Sequence, residues 1–165
     1  MINIKKKNIN KKKVFLNKKA GYNFNIEKTI VAGIVLQGWE VKSIRLGFVQ
    51  IITGYVFIDK NEAYLMGVNI QPLVNIANFC LCESDRIRKL LLTKKEIEII
   101  NLYNKQKGYT IIPLKLFWKK SWCKIKIGIA KGKTLLDKRL DKKKHSWKIE
   151  QSTIYKRISL NKKYN

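Results

Sequence analysis

A chain of 165 residues with 45% apolar content supports one core plus appendages. Its 36 basic and 11 acidic residues leave a formal charge of +25, which excludes a neutral-surface protein and favours polyanions, nucleic acid before anionic membrane. No apolar run approaches the ~18 residues of a membrane span, and three cysteines (Cys80, Cys82, Cys123) are no disulfide framework, which points to a reducing cytoplasm.

Residues 1–13 carry Lys5-Lys6-Lys7 and Lys11-Lys12-Lys13 and no apolar signal core, so they read as a basic arm. Order is expected from Val14. Asn17-Lys18-Lys19-Ala20-Gly21 predicts a turn into a strand over Tyr22–Ile30, where Tyr22, Phe24 and Ile26 alternate with polar residues. Gly33 is expected to break that pattern. Trp39–Leu46 predicts a short helix ending at Gly47, with Val41 and Ile44 inward and Lys42 and Arg45 near solvent. Two β-rich runs, Phe48–Asp59 and Glu62–Val68, predict a hairpin across Lys60-Asn61. Asn69–Asp85 reads as irregular, and Arg86-Ile87-Arg88-Lys89 precedes Leu90-Leu91-Leu92. Thr93-Lys94-Lys95-Glu96 is a capping box opening a helix with Ile97, Ile100 and Tyr103 on one stripe, stopped by Gly108. Ile112, Leu114, Leu116 and Trp118 alternate as one strand. Cys123, Ile125, Ile127 and Ile129 alternate as the next, the clearest half-buried strand in the chain. Beyond Ala130 the chain is basic, with scattered apolar residues. The expected domains are an arm over 1–13, a β-barrel over 14–130 and a basic tail over 131–165. The expected fold class is mainly β with flanking helices, an antiparallel barrel of the oligonucleotide-binding (OB) type.

Catalytic chemistry finds no foothold. The single histidine, His145, lies in the tail, and Cys80-x-Cys82 lacks the further ligands of a tetrahedral metal site. Carboxylates are scattered, whereas two-metal nuclease sites need them clustered. Glu83-Ser84-Asp85 adjoins Arg86 and Arg88 and reads as a local ion pair. No cofactor is implied. Nucleic-acid binding is supported by pattern as well as charge, because basic and aromatic residues interleave at Trp118-Lys119-Lys120-Ser121-Trp122-Cys123-Lys124. Trp118 shares a face with Leu114 and Leu116 and reads as core. Trp122 stays open between core residue and stacking platform. In the tail, Leu135–Asp141 and Trp147–Ile149 form a weakly apolar, basic helical pattern that alone in water is expected to be unstable.

The motifs, in order, resemble the bacterial small protein B (SmpB) family, the partner of transfer-messenger RNA (tmRNA). They are Asn17-Lys18-Lys19-Ala20, Ala32-Gly33, Leu36-Gln37-Gly38-Trp39-Glu40-Val41-Lys42-Ser43, Arg86-x-Arg88-Lys89-Leu90-Leu91-Leu92, Gly128-x-Ala130-Lys131-Gly132-Lys133 and Asp137-Lys138-Arg139. The resemblance implies an OB-type barrel that grips the tRNA-like elbow of tmRNA, with a basic C-terminal tail that is disordered when free. On a stalled 70S ribosome the tail would enter the decoding centre and mRNA channel, contact rRNA and become helical. Alanyl-tmRNA, arriving with elongation factor Tu, would then rescue the ribosome and tag the nascent chain. The resemblance implies RNA contact at Asn17, Lys18, Lys19, Ala20, Tyr22, Glu40, Lys42, Arg86, Arg88, Lys89, Lys124, Lys131, Gly132 and Lys133. It implies ribosome contact at Leu136, Asp137, Lys138, Arg139, Lys142, Lys143, Lys144 and Trp147. It implies neither an enzyme, a metal nor a membrane partner. The chain departs from the family pattern at Val31, often acidic; Tyr22, often histidine; Glu83-Ser84, usually Asp-Pro; Leu136, often aromatic or histidine; and Lys142, usually apolar. The rival reading is a permanently assembled, ribosomal-protein-like rRNA-binding module.

Overall fold

The computed structural model describes residues 13–73 and 82–161; the basic arm up to Lys12, and Cys80, lie outside them. Seven strands form one antiparallel sheet in the order β1-β8-β9-β2-β7-β5-β4, with a separate β3-β6 pair. The elements are β1 (Phe15–Leu16), α1 (Ala20–Asn23), β2 (Phe24–Ile34), α2 (Gly38–Leu46), β3 (Val49–Gln50), β4 (Tyr55–Asp59), β5 (Glu62–Met66) and β6 (Asn69–Ile70). After them come β7 (Arg88–Leu91), α3 (Lys94–Asn104), β8 (Tyr109–Lys119), β9 (Trp122–Gly132) and α4 (Leu135–Asn161).

The sheet curls because two of its three long strands carry irregularities. Register slips between Ile26 and Lys28 on β2 and between Pro113 and Lys115 on β8. Such bulges increase twist and bend a strand, and the second sits beside a proline that has no amide to donate. β4 thereby comes alongside β8 without ladder bonds. Asn17 clasps the seam: its Nδ2 donates to the Pro113 carbonyl at 3.0 Å and the Ile52 carbonyl at 3.4 Å. Nearby, a Cβ on Gly54 would stand 2.6 Å from Val68 Cγ2 and 2.9 Å from Pro113 Cγ, so only glycine lets the seam close.

The core fills the barrel. Ile125, Ile127 and Ile129 of β9 are fully buried with Ala32, Leu65, Ile70 and Leu116, and α2 and α3 add Ile44 and Ile100. Burying one such large aliphatic side chain contributes about 1.5–3 kcal/mol. The bulge on β8 changes which residues face inward. Ile111 and Leu116 enter the core, while Ile112 and Leu114 pack outside, against Ala20, Phe24 and Ala130. The single-face alternation expected for β8 is therefore split between two faces.

Two expectations near the start of the chain change. The turn expected over Asn17–Gly21 runs on as one helical turn through Asn23, so the strand expected from Tyr22 begins at Phe24; the Ala20 amide donates to Asn17 Oδ1 at 3.1 Å and Ala20 is buried in the outer cluster. Gly33 continues β2, paired with both Leu91 and Lys124. The α2 helix and its left-handed Gly47 end (φ 107°) form as expected, and the hairpin forms over Tyr55–Asp59 and Glu62–Met66; the start of its expected first arm, Val49–Gln50, instead pairs with Asn69–Ile70, where the chain was expected to be irregular. Lys60 and Asn61 both take positive φ, as a tight two-residue hairpin turn requires. The Thr93 box also forms: the Glu96 amide donates to Thr93 Oγ1 and the Thr93 amide to Glu96 Oε2. The tail, expected to turn helical on RNA, is helical over 27 residues, about 40 Å.

Candidate nucleic-acid interface

Charges inside the wall come first. Glu40, on the first turn of α2, is fully buried. Its Oε1 accepts from Arg88 Nε and its Oε2 from Arg86 Nη2, each at 2.7 Å, and Oε2 also accepts from the Gln37 amide at 2.6 Å. Burial opposes its ionisation, but hydrogen bonds from Arg86, the Gln37 amide and Arg88 outweigh it and hold the carboxyl below its ordinary value. Arg88, also fully buried, donates further to the carbonyls of Val68, Arg86 and Ser84. These contacts replace the water that a buried guanidinium loses. Glu40 and Arg88, both expected at the RNA contact, are thus buried against each other and tie α2 to β7. The expected Glu83/Asp85 pairing is replaced by this longer-range one, and Asp85 accepts from Asn69. Arg86, part-exposed, retains one edge toward solvent. Ala20 and Asn17, also expected at the interface, serve packing and barrel closure.

The outward face of the sheet is different. On β9, Trp122, Lys124 and Lys126 alternate with the buried Cys123, Ile125 and Ile127. In register with them lie Lys119, Phe117 and Lys115 of β8, and Gly33 and Val31 of β2. Leu91 of β7 pairs with Gly33, and its Cβ lies 3.2 Å from where a Cβ on that glycine would stand. Trp122 is 74% exposed and Leu91 57%, so the open question about Trp122 resolves to solvent. Trp118 packs against the core with the Arg45 guanidinium 5.3 Å from its ring. Lys89 also faces outward, in an ion pair with Glu62. The result is apolar and aromatic surface framed by ammonium groups, which suits stacked bases and their phosphates. Leu91, Phe117, Lys115 and Lys126 were missed as candidates. Their signal was parity: each occupies the strand position opposite the core.

The same strand ends beside α1. Lys18, Lys19, Lys131 and Gly132 are exposed there, and Lys42 is exposed on α2. Lys133 turns back: its Nζ donates to the Gly21 carbonyl and to Asp141 Oδ2, each at 2.7 Å. Thr134 caps α4. Its hydroxyl accepts from the Asp137 amide at 3.2 Å, and its amide donates to Asp137 Oδ2 at 3.1 Å. The Thr134 hydroxyl and amide, helped by Lys133, hold the Asp137 carboxyl below its ordinary value. Asp137, expected to dock on the ribosome, thus has a local structural task. Lys138 and Lys142 lie over the Tyr22 ring, while Leu136, Arg139, Lys143, Lys144 and Trp147 are exposed. Among the described residues, no group of three or more His, Cys, Asp or Glu side chains could hold a metal. Burial pushes the Cys123 thiol up to about 12, a structural thiol.

A small closed sheet with a lysine-framed aromatic face and a basic helix is the architecture of an RNA-binding barrel protein. The SmpB protein family model matches residues 14–157, and the chain belongs to that family. An SsrA-binding protein of Buchnera aphidicola subsp. Acyrthosiphon pisum (strain Tuc7) is 49% identical over 156 residues, covering 93% of this chain and 96% of the relative. The SsrA-binding protein of Buchnera aphidicola subsp. Schizaphis graminum (strain Sg) is 50% identical over 143 residues, covering 86% and 88%. A solved chain from "tmRNA-SmpB: a journey to the center of the bacterial ribosome" superposes with a TM-score of 0.63 at 34% identity. It covers 74% of this chain and 85% of its own length.

Proposed function

We propose that this chain is an RNA-binding factor of trans-translation, acting in the cytoplasm and without catalysis of its own. It binds the tRNA-like domain of tmRNA and positions it in the A site of a stalled ribosome, so that alanyl-tmRNA, arriving with elongation factor Tu, takes over the nascent chain. The observation that carries this reading is the outward face of β2, β7, β8 and β9, in a chain whose relatives are named SsrA-binding proteins. Exposed Trp122, Leu91 and Val31 lie there among Lys115, Lys119, Lys124 and Lys126. Unpaired bases of an RNA elbow have π-faces to stack, and the lysines replace condensed counterions. Lys18, Lys19, Lys131 and Lys133 extend this surface toward α1. The barrel runs to the end of β9 at Gly132, two residues past the expected boundary, and the tail beyond it supplies rRNA contacts through Arg139, Lys143, Lys144 and Trp147. No helix among the described residues is long and apolar enough to cross a membrane.

The test is a chain ended after Lys133. It keeps β9 whole and should still bind the tmRNA domain, while nothing remains to fill the decoding centre, so tagging of stalled chains should stop. Tagging at the full-length rate overturns the reading. The RNA that co-purifies with the full chain distinguishes the rival: stoichiometric rRNA in place of tmRNA marks a structural ribosomal module.

A further inference from the structure

Two lysines on the outward face of the sheet stand side by side. Lys126 of β9 is the register partner of Lys115 on β8, and its other neighbour, on β2, is Val31. Residues directly opposite in an antiparallel pair hold their Cβ atoms about 4.5–5.5 Å apart, and like charges placed there repel. Nothing beside them on these strands answers that repulsion. The adjoining outward positions, Val31 and Gly33 on β2, Phe117 on β8 and Lys124 on β9, carry no carboxylate. Among the described residues, neither ammonium has a carboxylate within salt-bridge distance. The Lys115 ammonium lies instead over the Phe117 ring, 5.1 Å from its centre. Lys89 shows the alternative on the same face, because Glu62 of β5 neutralises it.

We propose that Lys115 and Lys126 form a clamp for a single RNA phosphate. This rests on the RNA-binding reading above and deepens it with two residues that lie outside the motifs carrying the family resemblance. The free chain holds the two positive charges against each other. A phosphate between them is attracted by both and cancels their repulsion, so the pair binds it more strongly than two independent contacts would. Repulsion stored in the free chain is thus returned as affinity. Val31 keeps the clamp open. A carboxylate at that position would stand opposite Lys126 and neutralise it, as Glu62 neutralises Lys89. Val31 is apolar and 45% exposed, so the Lys126 charge stays available to the ligand. Lys115 has a resting place that does not quench it, since a ring face attracts an ammonium without removing its charge.

The experiment is a double-mutant cycle of Lys115→Gln and Lys126→Gln in the full chain, titrated with the isolated tRNA-like domain of tmRNA at several salt concentrations. Lys60→Gln, at the exposed tip of the β4–β5 hairpin, controls for the loss of one charge from a strongly cationic chain. Each single variant should bind about three- to tenfold more weakly than Lys60→Gln. The double variant should lose less than the product of the two single losses, because either change alone already abolishes the repulsion. Slopes of log K against log salt count the phosphates. Each single variant should keep the slope, since one lysine still neutralises the phosphate, and the double variant should lose up to about 0.9. A second readout needs no RNA. In low salt Lys126→Gln should unfold about 1–3 °C above Lys60→Gln, and the difference should fade as salt screens the pair. An absent or salt-independent difference overturns the stored repulsion and the clamp with it. If the tmRNA domain binds but the losses multiply and each single variant sheds its own slope increment, the lysines serve separate phosphates; the clamp is refuted and the functional reading stands. Affinities equal to that of Lys60→Gln refute the clamp in the same way. A chain with the thermal signature that ignores the tmRNA domain refutes the RNA phosphate as ligand and the functional reading together.

Discussion

Glu40 holds two arginines inside the barrel wall, and Asp141 holds one lysine at the surface. Both carboxylates lie on helices, and both pair with cations from motifs that resemble RNA-contact segments. Their surroundings make them different objects. Glu40 and Arg88 are closed off from solvent, and Arg88 satisfies three carbonyls besides. Breaking such a pair leaves a charge stranded. Around Asp141 water and salt can take over, so the pair is exchangeable. The same chemistry therefore makes a rivet in one place and a latch in the other. A basic residue in a recognition motif belongs to the interface only if its charge can be reached.

The largest expected effect comes from the rivet. Glu40→Ala should destabilise the fold by about 3–5 kcal/mol, because Arg88 stays buried without its counter-charge. Denaturant unfolding measures this. A double variant, Glu40→Leu with Arg88→Met, should cost less than the sum of the two single changes. A fully additive cycle would show that the two groups act independently.

The rivet also gives acid stability a sign. Glu40 has a lowered pKa in the folded chain, so its contribution is present above the ordinary glutamate value of about 4.3 and disappears as pH falls through the lower folded value. Stability of the unsubstituted protein should fall as pH drops below about 4.3. Glu40→Gln should start less stable and fall less steeply over that window, since one titrating group is gone. Chemical unfolding at a series of pH values reads both slopes; parallel slopes would assign the acid lability to other carboxylates.

What could be read from the chain follows the range of the forces involved. The alternation Cys123, Ile125, Ile127, Ile129 predicts its strand because one face meets the core and period two is local. The Thr93 box predicts its helix start because all its atoms lie within one helical turn. Glu40 is different: its partner Arg88 is 48 positions away, and no local pattern marks a glutamate that will be buried. The extension of the Asn17–Gly21 turn through Tyr22 and Asn23 was hidden for a related reason. A polar–apolar alternation through Tyr22 favoured a strand, and a side-chain acceptor on Asn17 together with burial of Ala20 overrode it. On β8 the bulge beside Pro113 reversed the facing of half the strand, so one apparent stripe became two. The barrel's class was legible; which motif residues reach solvent was not, since exposure is decided by contacts between distant segments.

The smallest expected effects use one motif in both regions. Thr93 and Thr134 make the same capping box, one opening α3 against the core and the other opening α4 at the surface. Replacing Thr93 by alanine removes a cap from a helix whose Ile100 is fully buried in the core. That loss, about 1 kcal/mol, should appear in the global unfolding free energy. Replacing Thr134 removes the same bonds, but the helix they start is exposed along most of its length and contributes little to the barrel. The midpoint of barrel unfolding should then stay where it is. Helical circular dichroism below the transition should fall instead, because an isolated basic helix is marginal and depends on its first turn. If Thr134→Ala lowered the global midpoint as much as Thr93→Ala, the tail would be part of the folding unit and the surface pair at Asp141 would be no latch. If neither variant changed either signal, capping would be irrelevant in both regions and packing alone would set both helix starts.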